Sequence, residues 1–477
     1  MPIQGLLTRS LRASRGRARS RGISPYHASI NDETAKLERL GSWYNAQFHA
    51  VLKSLEYHKS VFAPVRRLPR DILLEIFHSD AEEDDIPHDS LDMTGPLWVL
   101  GSVCGLWRDI LHTSPASWAR YVLHAREILG VYLEHTGEHP LSLVAVCYSP
   151  NIAEENGEIM SLLVQSSYRW KNVCIRTHAH HMHHLESVSH FPVLQTIEID
   201  IFEDYGFPAE MSSDICLKSP QLWQAILQSQ GIDQVRLPSG ITHYSGYITC
   251  VEDIQLLSQL PKLRTCHIPS SETSLTDVAP VVMAELRQLY VEDSNTLDFL
   301  TAPMLQSLTI VEVPEGSPSS SGITPFLRRS GCHLESLSMC TDIPSALISN
   351  IFSSQACSMI SHLKLELGPD WDGISKILAP SSILPNLRHL VLCFESGYLL
   401  RKKKRFTLLN MIRSRCKAGQ LKMIETSFEK GIYTAHIMEA DIRAVIGDNL
   451  EMRVEEWSPL NLDYWYSFSG PELSEYQ

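Results

Sequence analysis

The 477-residue sequence contains no Cys-x-x-Cys pair, no glycine-rich phosphate loop, no His-Glu-x-x-His signature and no Gly-x-Ser-x-Gly elbow. Those absences exclude the zinc ribbons, P-loop nucleotide chemistry, zinc proteolysis and α/β-hydrolase chemistry that such spacings mark. Ser, His and Asp are abundant, but no spacing among them marks a triad. No apolar run approaches the ~18 residues of a membrane span, the longest lying near 141–148. The opening residues hold no apolar h-region, so no secretory leader is expected. Basic residues are in deficit: 41 Lys and Arg against 55 Asp and Glu leave a net charge of −14, which argues against general affinity for nucleic acid or anionic membrane. The 11 cysteines are odd in number and scattered singly, which fits free thiols in a reducing compartment. Cys174, Cys266, Cys340 and Cys393 fall in apolar strand-like stretches, where cysteine behaves as a small hydrophobe. None neighbours a motif that would lower its pKa, and no cofactor is expected.

What is present describes a globular chain: 44% hydrophobic and 20% charged residues, enough length for two or three structural units. Arg9, Arg12, Arg15, Arg17, Arg19 and Arg21 make an acid-free, Ser-rich start. Its composition suits a disordered basic tail, with a mitochondrial presequence as the alternative. From Asn31 to Phe62 the spacing predicts one long helix, capped by Asn31 with Asp32 and Glu33 in its first turn. Leu37, Leu40, Tyr44, Phe48, Val51, Leu55 and Phe62 form one stripe. Gln47 and Ser54 interrupt the second seam of a coiled coil, so packing within the chain is expected instead.

The chain is organised around Pro64-Val65-Arg66-Arg67-Leu68-Pro69-Arg70-Asp71-Ile72-Leu73-Leu74-Glu75-Ile76-Phe77. Pro69 suits a first helical turn, where its missing N–H costs nothing, and Asp71 complements the helix dipole. Ile72, Ile76 and Phe77, with Leu73 beside them, are expected to share one apolar face. A second helix is expected from Leu97 to Leu111, with Val99, Leu100, Val103, Trp107, Ile110 and Leu111 at helical spacing. Thr113-Ser114-Pro115 then reads as stop, cap and first-turn proline for a brief helix through Trp118 and Tyr121. Three short helices in under about sixty residues make too small a core to stand alone. Such a group either finishes burying its apolar face on another protein or packs as an ordinary subdomain on its own chain.

Leu68-Pro69-x-x-Ile72-Leu73-x-x-Ile76-Phe77, Val103-Cys104-x-x-Trp107-Arg108 and Ser114-Pro115-x-x-Trp118 together resemble the F-box. With the preceding helix and Pro64-Val65-Arg66-Arg67, the block is similar to the large F-box families of mushroom-type fungi. The resemblance covers about sixty residues. It implies docking on the Skp-type adaptor of a cullin–RING ubiquitin ligase, with no catalysis by this chain. It assigns Leu68, Pro69, Ile72, Leu73, Ile76, Phe77, Leu100, Val103, Trp107 and Trp118 to the adaptor-binding region or its supporting core. Two features depart from the family pattern: Gly105 stands where Arg is usual, and an acidic insertion occupies 81–89.

Beyond residue 140 an apolar-x-x-apolar-x-apolar unit recurs. Copies begin at Trp170, Leu194, Ile232, Leu263, Leu286, Leu305, Leu334, Ile360 and Leu387, with a degraded one at Leu421. Their spacing centres on the ~20–29 residues of leucine-rich repeats. Each unit predicts a strand with one face inward, and intervening segments such as 220–227 are expected to be helices on the outer side. Leu141-Ser142-Leu143-Val144-Ala145-Val146 is expected to be the first strand of the stack. A globular α/β domain with a parallel sheet is the alternative.

Three further features stand out. His178, His180, His181, His183 and His184 lie between two strands with no Cys or carboxylate pair to complete a metal set, and an exposed polar loop is expected. Arg401-Lys402-Lys403-Lys404-Arg405 resembles a nuclear-import signal, with a solvated loop as the plain alternative. Trp457, Tyr464, Trp465, Tyr466 and Phe468 suit a cap on an exposed repeat edge. The expected organisation is a basic tail (1–28), an amphipathic helix (29–63), an F-box (64–124), an irregular leucine-rich-repeat-like domain (125–450) and an aromatic, acidic cap or tail (451–477). That fold class is α plus α/β: a helical module followed by a curved parallel sheet with helices outside. The expected function is target recognition in a Skp–cullin–F-box ligase, cytoplasmic or nuclear, with an unidentified target protein as second partner. A repeat scaffold with a degenerate F-box and no ligase role is the other reading.

Overall fold

The computed structural model describes residues 25–61, 68–82, 96–114, 120–123, 126–147, 153–202, 212–228, 231–248, 250–269, 279–311, 322–340, 345–367, 371–394, 402–429, 435–446 and 450–457. Residues 1–24 of the basic tail, Phe62, Pro64 to Arg67, most of the acidic insertion, Trp118, Arg401, Tyr464, Trp465, Tyr466 and Phe468 fall outside them. The chain divides into two compact units, residues 1–75 and 76–477.

In the first unit a 37-residue helix, α1 (Pro25–Val61), begins six residues before the expected Asn31 cap. Proline at the helix start explains this, since its ring presets φ and it has no N–H to leave unpaired. Asp32 and Glu33 therefore lie inside the helix, where both pair with Lys36 at 2.8 and 3.2 Å. Leu37, Leu40, Tyr44, Phe48, Val51 and Leu55 of the apolar stripe are exposed. Helix α2 (Arg70–Glu82) starts directly after Pro69, whose carbonyl accepts the Leu73 N–H at 3.1 Å.

In the second unit the expected helix 97–111 is two helices, α3 (Pro96–Val103) and α4 (Gly105–His112). Cys104 between them is extended, with φ −163° and ψ 166°. Gly101, Ser102, Cys104 and Gly105 are all weak helix formers, so little holds the middle of this run helical. Arg108 Nε donates to Gly101 O at 3.0 Å and ties the two pieces together.

The rest of this unit is a sheet of fourteen strands among the described residues, from Arg120–Leu123 to Glu451–Trp457. Every neighbouring pair is parallel, and the strands stand side by side in chain order, apart from a separate pair, Val281–Val282 with Leu300–Thr301. Parallel neighbours need a crossover, and helices or 3-10 turns lie between most of them. One strand face carries Val173, Ile175, Ile197, Ile199, Leu308, Leu337, Leu363 and Leu390 into a single core with Leu163, Phe326, Ile351 and Trp371 of the crossovers. No single strand and crossover can bury that apolar edge; stacking neighbours does so.

Several boundaries differ from expectation. The first strand is Arg120–Leu123, which pairs with Leu141–Cys147 and places Tyr121 in the sheet instead of in a helix. The segment 220–227, expected to be helical, contains the fully buried strand Gln224–Leu227. A short apolar run has no periodicity that separates a strand from a buried helix. The unit expected at Ile232 forms no strand, only an isolated bridge from Val235 to Ser213. The units that do form begin at Leu222 and Ile241, leading into Gln224–Leu227 and His243–Gly246. Their apolar positions hold Ala225 and Gly246, too small to stand out in a pattern of large side chains. Gly246 is required there, because a Cβ would run into the hydroxyl of Tyr244. At the far edge, Glu451–Trp457 is a further strand paired with Met423–Glu429. Lys402 starts the helix Lys402–Lys417, so the basic run is not a loop from that point on, and Arg405 pairs with Asp441.

Candidate functional site

Helix α2 does not carry the one apolar face expected of it. Leu73 and Phe77, one turn apart, are fully buried, whereas Ile72 and Ile76 are 40% and 44% exposed. The helix thus has two apolar stripes, of which the fold covers one. Leu68 is half-buried and Pro69 exposed.

Within the second unit, the Phe77 ring lies 4.9 Å from that of Trp107, tilted by 58°. Trp107 is half-buried, as is Leu100, while Ile110 and Leu111 of α4 are buried. These residues form the inner layer. Val103, by contrast, is 53% exposed, and so are Val99, one turn before it on α3, and Leu106 on α4. Val99 and Leu106 were not singled out as docking positions by the sequence. Only the break at Cys104 turns Leu106 outward, and the clustered weak helix formers were its one available signal. Exposed apolar side chains on consecutive short helices mark an interaction surface more than a finished core. Covering each would contribute roughly 1–2 kcal/mol.

The other candidate surface is the polar face of the sheet. Along one row, the register aligns Asn172, Thr196, Gln224, His243, Thr265 and Gln288. The next row aligns Glu198, Ile226, Ser245, His267 and Tyr290. Asn172 donates to Ser142 Oγ at 3.0 Å, and Gln228 to Glu198 Oε1 at 3.2 Å. Ser245 Oγ and His267 Nδ1 lie 2.7 Å apart, a contact between residues 22 apart that no local pattern foretells. Both are buried, and this pair is a rung of the ladder, not an exposed nucleophile with its base. Toward the C-terminus the face opens: His362 is exposed, Lys364, Glu366 and His389 are half-buried, and Glu425 lies 3.5 Å from His389.

The histidine cluster is not an exposed loop. It forms the turn Ala179–His181 and the short helix Met182–Glu186, with His181 buried and His180 and His183 exposed. Burial, reinforced by the neighbouring histidines, lowers the His181 pKa to about 4. Burial alone lowers His267 to about 3, and burial with Arg264 lowers His243 to about 4. Unfolded histidine takes up its proton near pH 6.5, so from there downward the unfolded chain binds more protons and the fold loses stability as pH falls. The melting temperature is therefore expected to drop between pH 6.5 and 5. His267→Asn, which keeps an acceptor for Ser245 and cannot titrate, should flatten that drop in calorimetric scans. An unchanged slope would remove His267 from the account.

All eleven cysteines are free, and burial raises the thiols of Cys147, Cys216 and Cys266 to about 12, too high for nucleophilic use. Among the described residues no helix is long and apolar enough to cross a membrane. No protein-family model matches the chain, and no curated protein matches it.

Proposed function

We propose that the chain is the non-catalytic target-recognition subunit of a Skp–cullin–F-box ubiquitin ligase. In this reading α2, α3 and α4 are an F-box that holds a Skp-type adaptor, and the strand array is an irregular leucine-rich-repeat solenoid. The observation that carries it is α2: Leu73 and Phe77 pack inward while Ile72 and Ile76, at the positions the F-box resemblance assigns to docking, stay exposed. Fourteen parallel strands in chain order, apolar on one face and polar on the other, support the solenoid half. Its polar face would hold the target and so raise the target's effective concentration beside the ubiquitin-loaded enzyme. Bond making would belong to other subunits, in the cytoplasm or nucleus.

The interruption at Cys104 favours a second reading, a repeat scaffold whose F-box has drifted into a packing element. Co-purification separates the two. The full-length chain is expected to recover a Skp-type adaptor at micromolar concentrations, and Leu68→Ala with Pro69→Ala should abolish recovery while leaving far-UV circular dichroism unchanged. No recovery by the unaltered chain would leave the scaffold.

A further inference from the structure

Leu37, Leu40, Tyr44, Phe48, Val51, Leu52 and Leu55 lie along one side of helix α1, and all are exposed. Gln47 and Ser54 interrupt a heptad seam there, but an eleven-residue spacing passes them by: Leu37 repeats as Phe48, Leu40 as Val51 and Tyr44 as Leu55. Eleven residues in three turns nearly match the natural pitch of an α-helix, so this stripe runs almost straight and suits a second, nearly straight helix. Gly41 stands in the same stripe, and a Cβ there would meet nothing within 4 Å. Glycine inside an exposed helix costs about 1 kcal/mol relative to alanine, a loss offset only where another backbone or side chain must come close.

The stripe is also symmetric about Ala46. Counting outward from there, Tyr44 matches Phe48, Gly41 matches Val51, Leu40 matches Leu52 and Leu37 matches Leu55. Two copies of α1 laid antiparallel on a twofold axis at Ala46 therefore set ring against ring, leucine against leucine and the glycine notch against valine. A parallel pair would set the two notches against each other and leave both empty. The sequence carries the symmetry on into charge: Lys36 matches Glu56 and Glu33 matches Lys59, so opposite signs meet at both ends. The like-charged Arg39 and Lys53 also match, but the helical period sets them on the far side. Seven large side chains, each roughly half exposed, offer on the order of 800 Å² per copy, close to the ~800 Å² that each partner of a stable complex gives up.

We propose that α1 is a dimerisation helix, pairing antiparallel about Ala46 with α1 of a second copy of this chain. A second copy is the occupant whose shape and charge the stripe already matches. The pairing is independent of any ligase role. Where the polar face of the sheet holds a target, two strand arrays on one dimer would grip a repeated target with avidity and no new contact.

Sedimentation and photocrosslinking test this. The full-length chain is expected to sediment as a dimer of the 53.8 kDa subunit at micromolar concentration. Tyr44→Glu with Phe48→Glu, both exposed in the subunit, should weaken dimerisation on the order of 100-fold or more while far-UV circular dichroism stays unchanged. Gly41→Leu separates a paired face from a bare one. On a bare helix it should only raise helicity; in the antiparallel pair it fills the notch that takes Val51 and should weaken dimerisation on the order of 10-fold. Benzoylphenylalanine in place of Leu37 should, on irradiation, join two subunits through the peptide that contains Leu55. A monomer at micromolar concentration overturns the proposal, and so does a dimer that survives the paired glutamate changes or is tightened by Gly41→Leu. A crosslink to the partner's peptide around position 37 overturns the antiparallel pairing, and a crosslink formed only at monomer mass gives the stripe to its own chain. Should a variant fail to fold, the mass of the unaltered chain and the position of the crosslink still decide.

Discussion

Replacing Ile76 and Val103 together by Asp is expected to eliminate recovery of a Skp-type adaptor while the strand array stays folded. Both side chains are about half exposed, at 44% and 53%, so the fold loses little when they become polar. In the complex each would place a carboxylate against apolar surface with no partner charge. Buried interface positions of this kind cost about 2 kcal/mol or more each, so the pair should weaken binding roughly 1000-fold. Titration calorimetry against purified adaptor measures this, with circular dichroism as the folding control. Phe77→Ala is the informative contrast. Phe77 is buried against Trp107, so its loss should cost about 3–5 kcal/mol of stability and remove binding by unfolding the helices instead. Unchanged affinity in the double Asp variant would mean that this surface docks nothing of the kind proposed.

Arg415→Ala should markedly destabilise the C-terminal part of the strand array. Arg415 is 2% exposed and is held by carbonyls alone: Nε to Leu378 O at 2.6 Å, Nη1 to Leu384 O at 3.2 Å and Nη2 to Ile383 O at 2.5 Å. Burial lowers its pKa to about 10, which leaves it charged at neutral pH. It closes the end of the helix Trp371–Leu378, whose last carbonyls have no partner of their own. The same device recurs at two other joints. Arg329 reaches Leu297 O and Leu300 O at 2.7 Å, and Arg169 reaches Gly137 O; the Arg329–Leu297 and Arg169–Gly137 contacts span the same 32 residues as Arg415 to Ile383. Removing Arg415 leaves Leu378 O and Ile383 O without this donor, while Leu384 O keeps the Leu387 N–H at 3.2 Å, and should cost about 3 kcal/mol. Arg415→Lys, a point charge without the fork, should recover only part. Because stacked units can open separately, hydrogen exchange is the better readout: amides of 371–384 should lose protection before those near Trp170. Uniform protection in Arg415→Ala would contradict this.

The strands were legible where large side chains fill the repeating positions. Trp170, Leu194, Leu263, Leu286, Leu305, Leu334, Ile360 and Leu387 each lead into a strand of the sheet. Reading failed where the same positions are small, at Ala225 and Gly246, and where Ile232, Val235 and Leu237 imitate the spacing without pairing in register. Helix α2 was legible as a helix, but not in its orientation. Five apolar residues in six, Ile72, Leu73, Leu74, Ile76 and Phe77, allow either adjacent stripe to turn inward. Only the position of Trp107 shows that the Phe77 side is the one covered.

Sequence by itself determined the local choices: where helices open after proline, where apolar alternation makes a strand, and that free thiols fill the core. Those outcomes depend on neighbours within a turn or two, which is the range over which side-chain spacing acts. Tertiary structure alone decided which apolar stripe stays uncovered and that Arg415 serves carbonyls more than thirty residues away. These depend on how helices and crossovers separated in sequence come to lie against one another, which no local spacing reports.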